Sequence, residues 1–250
     1  MRAHIPNDHP RYQSLLTRER MKLAFERGLI HTTGLIAQGR GEAFDYLLGE
    51  RSPPTAVKAA RAAAAALLAA RQPVLSCNGN VVALAAHECV DAARATGARI
   101  EVNLFHRTEP RVRRLVKELE REGGRDVLGP RPDARIPGLS SDRAKCHVAG
   151  IFGADVVLVP LEDGDRAQAL ARMGKTVIAI DLNPLSRTAL AARITLVDEV
   201  RRALPLIAQA ARRLRRSPMT PAALRRIAAA WDNRAALRQA RAAIAKRLRP

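Results

Sequence analysis

Five polar stretches hold the residue types that could do chemistry. The first is Ser76 to Asn80 (SCNGN), where Asn78 and Asn80 offer amide donors around a glycine. They suit a phosphate or a hydroxyl, and equally a simple turn with Asn80 capping the next helix. In Asn103 to Arg111 (NLFHRTEPR), Asn103, His106 and Arg107 set a cation and hydrogen-bonding groups ahead of a helix start, where free N–H groups favour an anion. In Pro160 to Arg166 (PLEDGDR), Asp163 and Asp165 flank Gly164, and carboxylates so spaced hold Mg²⁺, orient an amine or cap a helix. In Asp181 to Thr188 (DLNPLSRT), Asp181 can accept from a ribose hydroxyl, Asn183 can meet a base edge and Arg187 a phosphate. Finally, Gly39 and Gly41 flank Arg40, a pattern that lets backbone approach an anion closely beside a guanidinium, or forms a plain helix–helix turn. Together these point to nucleotide binding, although neither a GxxxxGK[ST] loop nor a GxGxxG turn is present.

The first four stretches each follow or end a short apolar run, so the elements that position them are expected strands. The runs are Pro73–Ser76, Arg99–Leu104, Ala154–Val159, Lys175–Ile180 and Ile194–Val197. Helix-like segments at Val81–Thr96, Pro110–Glu122 and Arg166–Met173 separate them, and such alternation predicts an α/β fold. We expect a Rossmann-like three-layer core with a mainly parallel sheet over 73–200, a helical N-terminal segment over 1–72 and a basic helical C-terminal segment over 201–250, with breaks near Pro205 and Pro221. In an open parallel sheet, ligands lie beyond the carboxyl ends of the strands, where those polar loops fall. Residues 123–150, rich in Gly, Pro, Arg and Asp, read either as an active-site excursion or as a surface insertion.

The chain has 250 residues, 47% hydrophobic, enough to bury a substantial core. The Ala-rich stretch from Ala59 to Ala70 is interrupted by Arg61 and reads as a buried helix, and no apolar run reaches the roughly 20 residues of a membrane span. The first residues lack the apolar core of an export signal, so a cytoplasmic location is expected. Cys77, Cys89 and Cys146 have neither a disulfide nor a metal-site spacing and read as buried thiols. The formal charge of +19 suggests a nucleic-acid partner, but residues 201–250 hold fourteen Lys plus Arg against one acid, a net +13 that leaves +6 for the first 200. The doublets Arg212-Arg213, Arg215-Arg216 and Arg225-Arg226 among Ala and Leu read as a solvated helix face, with a polyanion contact as the alternative.

The blocks IPNDHPRYQSLLTRE, GLIAQGRGEAFDYLLGE, NGNVVAL, EVNLFHRTE, RIPGL, ADVVLVPLEDGDR and DLNPLSRTA run from Ile5 to Ala189. In them the sequence resembles the archaeal phosphopantothenate synthetases, the 4-phosphopantoate–beta-alanine ligases. The resemblance implies a homodimer that couples 4-phosphopantoate to beta-alanine with cleavage of ATP to AMP and diphosphate, through an acyl adenylate, on the route to coenzyme A. It implies ATP contacts at Arg18, Arg40, Asp181, Leu182, Asn183, Arg187, Thr188, Asp198 and Glu199. Gln38 departs from the histidine of the family's pattern, which removes any proton-transfer role at that position. From their loop positions, Arg107 and His106 with Asn78, Asn80 and Asn103 are the expected anchor for the substrate phosphate. Asp163 or Asp165 is expected to orient the amine or hold Mg²⁺. The competing readings are a non-catalytic nucleotide- or RNA-binding protein and a phosphoryl transferase, the latter separated from the ligase by its ADP product.

Overall fold

The computed structural model describes residues 5–217 and 219–248. Three helices come first: α1 (Tyr12–Glu26), α2 (Thr32–Leu48) and α3 (Pro54–Ala69). Then β1 (Pro73–Cys77), α4 (Gly79–Thr96), β2 (Arg99–Val102) and α5 (Glu109–Arg121) lead into an irregular excursion, which contains the two-residue strands β3 (Ala134–Arg135) and β4 (Lys145–Cys146). The chain resumes with β5 (Val156–Pro160), α6 (Gly164–Arg172), β6 (Thr176–Ile180), α7 (Arg187–Ala191) and β7 (Ile194–Leu196). It closes with α8 (Val200–Arg216), α9 (Pro221–Ala229) and α10 (Asn233–Arg247).

The five expected strands form one sheet, every pair parallel, in the order β2-β1-β5-β6-β7. Side chains alternate across a strand, and the core divides accordingly. Leu75, Cys77, Leu158, Ile178 and Ile180 face a layer built by α3, α4, α5 and α8. Val74, Val157, Val159, Val177 and Ala179 face α6 together with Ile136, Cys146 and Ile151 from the excursion. Helix α3 buries Ala59, Ala60 and every residue from Ala62 to Leu67, as its alanine-rich sequence predicts. Small side chains let it approach α8 and α9 closely. All three cysteines are free and buried, and no described helix is long and apolar enough to cross a membrane.

Two expectations are corrected. Gly39, Arg40 and Gly41 lie in the middle of α2 rather than in a loop or turn. The helix accommodates both glycines because nothing packs within 4 Å of an added Cβ at Gly39, and at Gly41 only Leu182 comes near. Pro205 does not break α8. It costs one backbone bond, but Ala203, Leu204, Ile207, Ala208 and Ala211 are buried on both sides of it, and that packing outweighs the loss. Pro221, by contrast, begins α9 behind the side-chain cap of Thr220.

Candidate active site

The chain goes from β1 out to β2, then returns past β1 to β5, so the loops leaving β1 and β5 part in opposite directions. At such a switch point a crevice opens at the carboxyl ends of the strands. A cleft of about 350 Å³ lies there, lined by residues that include His31, Gly34, Gln38, Arg40, Asn78, Asn80, His106, Arg111, Arg143, Asp163, Leu182 and Glu199. Asn78 ends the β1 loop as the N-cap of α4, its oxygen accepting from the Val81 N–H at 3.1 Å. Its amide donates to the carbonyls of Pro160 and Leu161, tying the two diverging loops together. Asn80 is not the cap; its amide donates to the Gly34 carbonyl at 2.8 Å and so docks α2 over the cleft. A Cβ at Gly34 would lie 2.4 Å from the Asn80 oxygen, so this approach requires glycine.

Cations line this cleft without carboxylates to neutralise them all. Arg111 donates to the carbonyls of Leu29 (3.0 Å) and His106 (2.7 Å), and it has no salt bridge among the described residues. Burial, then the nearby charge of Arg143, lowers its affinity for its proton. Arg40 has no described hydrogen-bond or salt-bridge partner. His106 stacks on His31, which caps α2 by accepting from the Thr33 N–H. Arg107, the expected anchor, does not line the cleft: its guanidinium is almost wholly buried and donates to Glu109 and the Gly129 carbonyl, both at 2.7 Å. Arg111, one helical turn on, takes the place expected for it. Asn103 is fully buried, its amide donating to the Arg143 and Lys145 carbonyls, so it braces the excursion instead of facing the cleft.

The excursion delivers Arg143 to the cleft wall, the one residue of 123–150 among those that line the cleft. Arg143 donates through Nε to Asp163 at 2.9 Å, through Nη1 to the Asn103 carbonyl at 2.8 Å, and pairs with Glu162 at 3.1 Å. Asp163 remains about half exposed and lines the cleft. Asp165 does not join it; its carboxylate points to solvent and pairs with Arg187. The expected two-carboxylate metal site is therefore not assembled, and no cluster of three or more His, Cys, Asp or Glu side chains suited to a metal occurs among the described residues.

Of the nucleotide set, Arg40, Leu182 and Glu199 line the cleft. Asp181 is half-buried and accepts from Ser186 and from the Asn183 N–H, while the Asn183 oxygen accepts from the Leu185 N–H, so Asp181 and Asn183 shape a tight turn after β6. Burial raises the Asp181 carboxyl above its ordinary range against these hydrogen bonds. Asp198 is buried and accepts from Ser52 and Arg202. Glu199 caps α8 with one oxygen, while its other, Oε1, is buried with no partner. A second hollow of about 430 Å³ adjoins the cleft through Gln38, Leu182 and Glu199 and is bordered by Arg201 and Arg202. Arg18 lies apart in a hollow between α1 and α2, donating to Glu42. Arg187 and Thr188 sit against α6, and the Thr188 hydroxyl donates to the Glu162 carbonyl.

His31, Arg111, Arg143 and Glu162 carried no role in the sequence reading. Arg111 and Glu162 lie within stretches that drew attention, but there their neighbours Arg107 and Asp163 were the more conspicuous groups.

The family model described as "Phosphopantothenate/pantothenate synthetase" matches residues 55–247. The chain belongs to this family. A "4-phosphopantoate--beta-alanine ligase" of Methanosarcina mazei is 51% identical over 245 residues, 98% of this chain and 96% of that protein. Proteins of the same name from Thermococcus kodakarensis (52% identical; 85% of this chain, 82% of that one) and Methanospirillum hungatei (54%; 82% and 84%) agree. The phosphopantothenate/pantothenate synthetase match contains Asn78, Arg111, Arg143, Asp163 and Glu199 but begins after Arg18 and Arg40. Those two fall within the longer Methanosarcina alignment.

Proposed function

We propose that this chain joins 4-phosphopantoate to beta-alanine with ATP, giving 4'-phosphopantothenate, AMP and diphosphate. The observation that carries the reading, beside family membership, is a cleft at the strand ends where Arg40 and Arg111 lack a salt-bridged counter-charge among the described residues. A substrate pair with a phosphate and a triphosphate supplies it. The carboxylate of phosphopantoate attacks the α-phosphorus of ATP, forming an acyl–O–P bond as the bond to diphosphate breaks. The amine of beta-alanine then forms the amide C–N bond, and AMP leaves with the acyl oxygen.

Arg40 is placed to stabilise the charge that develops on the phosphates, and Arg111 with His106, His31 and the start of α4 to hold the substrate's own phosphate. Asp163, oriented by Arg143, meets the ammonium and helps remove its proton. The buried, unpaired Oε1 of Glu199 is an acceptor waiting for a donor, which an adenosine hydroxyl or amino group supplies. Arg18 lies in a neighbouring hollow, and the exposed apolar side chains of α2, Ile36 and Tyr46, fit a homodimer that brings that hollow under cover. Mg²⁺ fits as a partner of the nucleotide's phosphates rather than of a carboxylate pair of this chain.

The test is a product assay with ATP, Mg²⁺, beta-alanine and either 4-phosphopantoate or pantoate, resolving AMP from ADP. AMP and 4'-phosphopantothenate formed only from the phosphorylated acid are expected. ADP would instead indicate phosphoryl transfer, and no nucleotide product from folded protein would overturn the reading.

A further inference from the structure

Glu162 is the second residue beyond β5, beside Asp163, yet the two carboxylates part company. The Glu162 side chain is 1% exposed and that of Asp163 is 48% exposed. The residue before them, Leu161, holds φ at +51°, a left-handed conformation that a leucine rarely adopts. Its carbonyl is fixed by the Asn78 amide at 2.8 Å. This kink breaks the strand's alternation and turns Glu162 into the protein while Asp163 faces the cleft. Backbone strain of this kind persists only where its surroundings enforce it, and it gathers at working sites.

Inside, Glu162 lies between two guanidiniums. One oxygen meets Arg143 at 3.1 Å and the other meets Arg166, which also donates to the Ser76 hydroxyl at 3.0 Å. All three charged side chains are at most 5% exposed. Stability alone gives no reason for this arrangement. Arg166 puts a cation in the first turn of α6, against the helix dipole, and its Nε is buried without a partner. Buried ion networks commonly match an apolar core in stability at best. What this one does is fix geometry: Ser76 within β1, Asn103 after β2 and Glu162 after β5 are linked through Arg166 and Arg143, and the chain of contacts ends on Asp163.

We infer that Glu162 is a positioning residue: held from behind by Arg166, it fixes the guanidinium of Arg143 and through it the orientation of Asp163 toward the incoming amine. The inference rests on the reading of Asp163 given above. Glu162 touches no substrate; it acts through Arg143 and through the Asp163 N–H, from which its Oε1 accepts at 2.8 Å. Removing its charge leaves two buried guanidiniums facing each other, so Arg143 swings and Asp163 loses its fixed partner.

The experiment is steady-state kinetics on Glu162→Gln, Arg143→Lys, the double variant and Asp163→Asn, with ATP binding and thermal unfolding measured on each. Glu162→Gln is expected to lower kcat/KM for beta-alanine by about tenfold or more while KM for ATP stays within about twofold. The double variant is expected to be no worse than the worse single variant, because two residues acting in series do not add. Additive losses, or a Glu162→Gln enzyme that loses only thermal stability, would overturn the proposal. If Asp163→Asn leaves beta-alanine kinetics unchanged, the reading of Asp163 fails instead; if Asp163→Asn is impaired and Glu162→Gln is not, only the positioning role fails. Should Glu162→Gln not fold, the same cycle is run with Glu162→Asp, which keeps the charge but is too short to span both guanidiniums.

Discussion

The imidazoles of His31 and His106 stack with centroids 4.1 Å apart and ring planes 28° from parallel, joining the start of α2 to the loop after β2. Desolvation, then the charges of His106 and Arg111, hold the His31 pKa below its ordinary value. This favours the neutral form of His31. For a base with a depressed folded pKa, the unfolded chain binds protons first, so the contribution of neutral His31 to stability is lost as pH falls below the ordinary histidine range. An anion seated between the rings and Arg111 reverses the bias. The imidazole titration of His31, followed by NMR and assigned with His31→Asn, is expected to move to higher pH when 4-phosphopantoate is added. A midpoint unmoved at saturation would remove the anion from this place.

Arg111 is the more direct test of the same subsite. Replacement by Ala removes a charge-assisted contact of about 1.5–3 kcal/mol, so KM for 4-phosphopantoate is expected to rise roughly 10- to 100-fold. Arg107→Ala should instead lower thermal stability, since its partners Glu109 and Gly129 are structural. If Arg107→Ala raises KM and Arg111→Ala does not, the two roles assigned here are exchanged.

Glu101, buried in β2, accepts from the N–H groups of His147 and Ile151. Burial pushes its carboxyl up to about 7, against those bonds and the charges of Arg166 and Arg107. The native state thus holds a proton that the unfolded chain has released. Its contribution is full below the ordinary glutamate pKa and is lost as pH rises through 7, a change on the order of 3 kcal/mol. Denaturant unfolding at pH 5 and pH 8 should show this decline in the wild type and a flatter response in Glu101→Gln. Equal slopes in both proteins would assign the pH dependence elsewhere.

Ile36 is 69% exposed and Tyr46 is 55% exposed on α2. Ile36→Asp is expected to leave the melting temperature of a monomer unchanged but to halve the mass measured by light scattering, if α2 forms the homodimer contact. A wild-type protein that is monomeric at micromolar concentration would dispose of the idea.

All five strands of the sheet were legible within a residue or two, because each is a short apolar run that ends in polar residues. Helix α2 was not. Its three glycines, Gly34, Gly39 and Gly41, each cost a helix about 1 kcal/mol relative to alanine and read as a loop; the groups that hold it, Asn80, Arg202 and α10, come from distant parts of the chain. Which arginine of NLFHRTEPR enters the cleft depends on where α5 begins, and a shift of one turn separates Arg107 from Arg111. Nor does PLEDGDR show that Asp163 and Asp165 face different ways, since that follows from Leu161's left-handed backbone and the partners Arg143 and Arg187.

Helix α2 has one more consequence. Seventeen residues long, it buries none of them, so little apolar contact holds it apart from the ties made by Asn80, Asp45 and Glu42. A helix held this way is expected to detach more readily than α3 or α8, whose apolar faces are buried. Its amides should exchange with solvent far sooner than those of α3 or α8, and should slow when ligand enters beneath Gln38 and Arg40, so that the lifetime of one helix reports occupancy of the whole cleft.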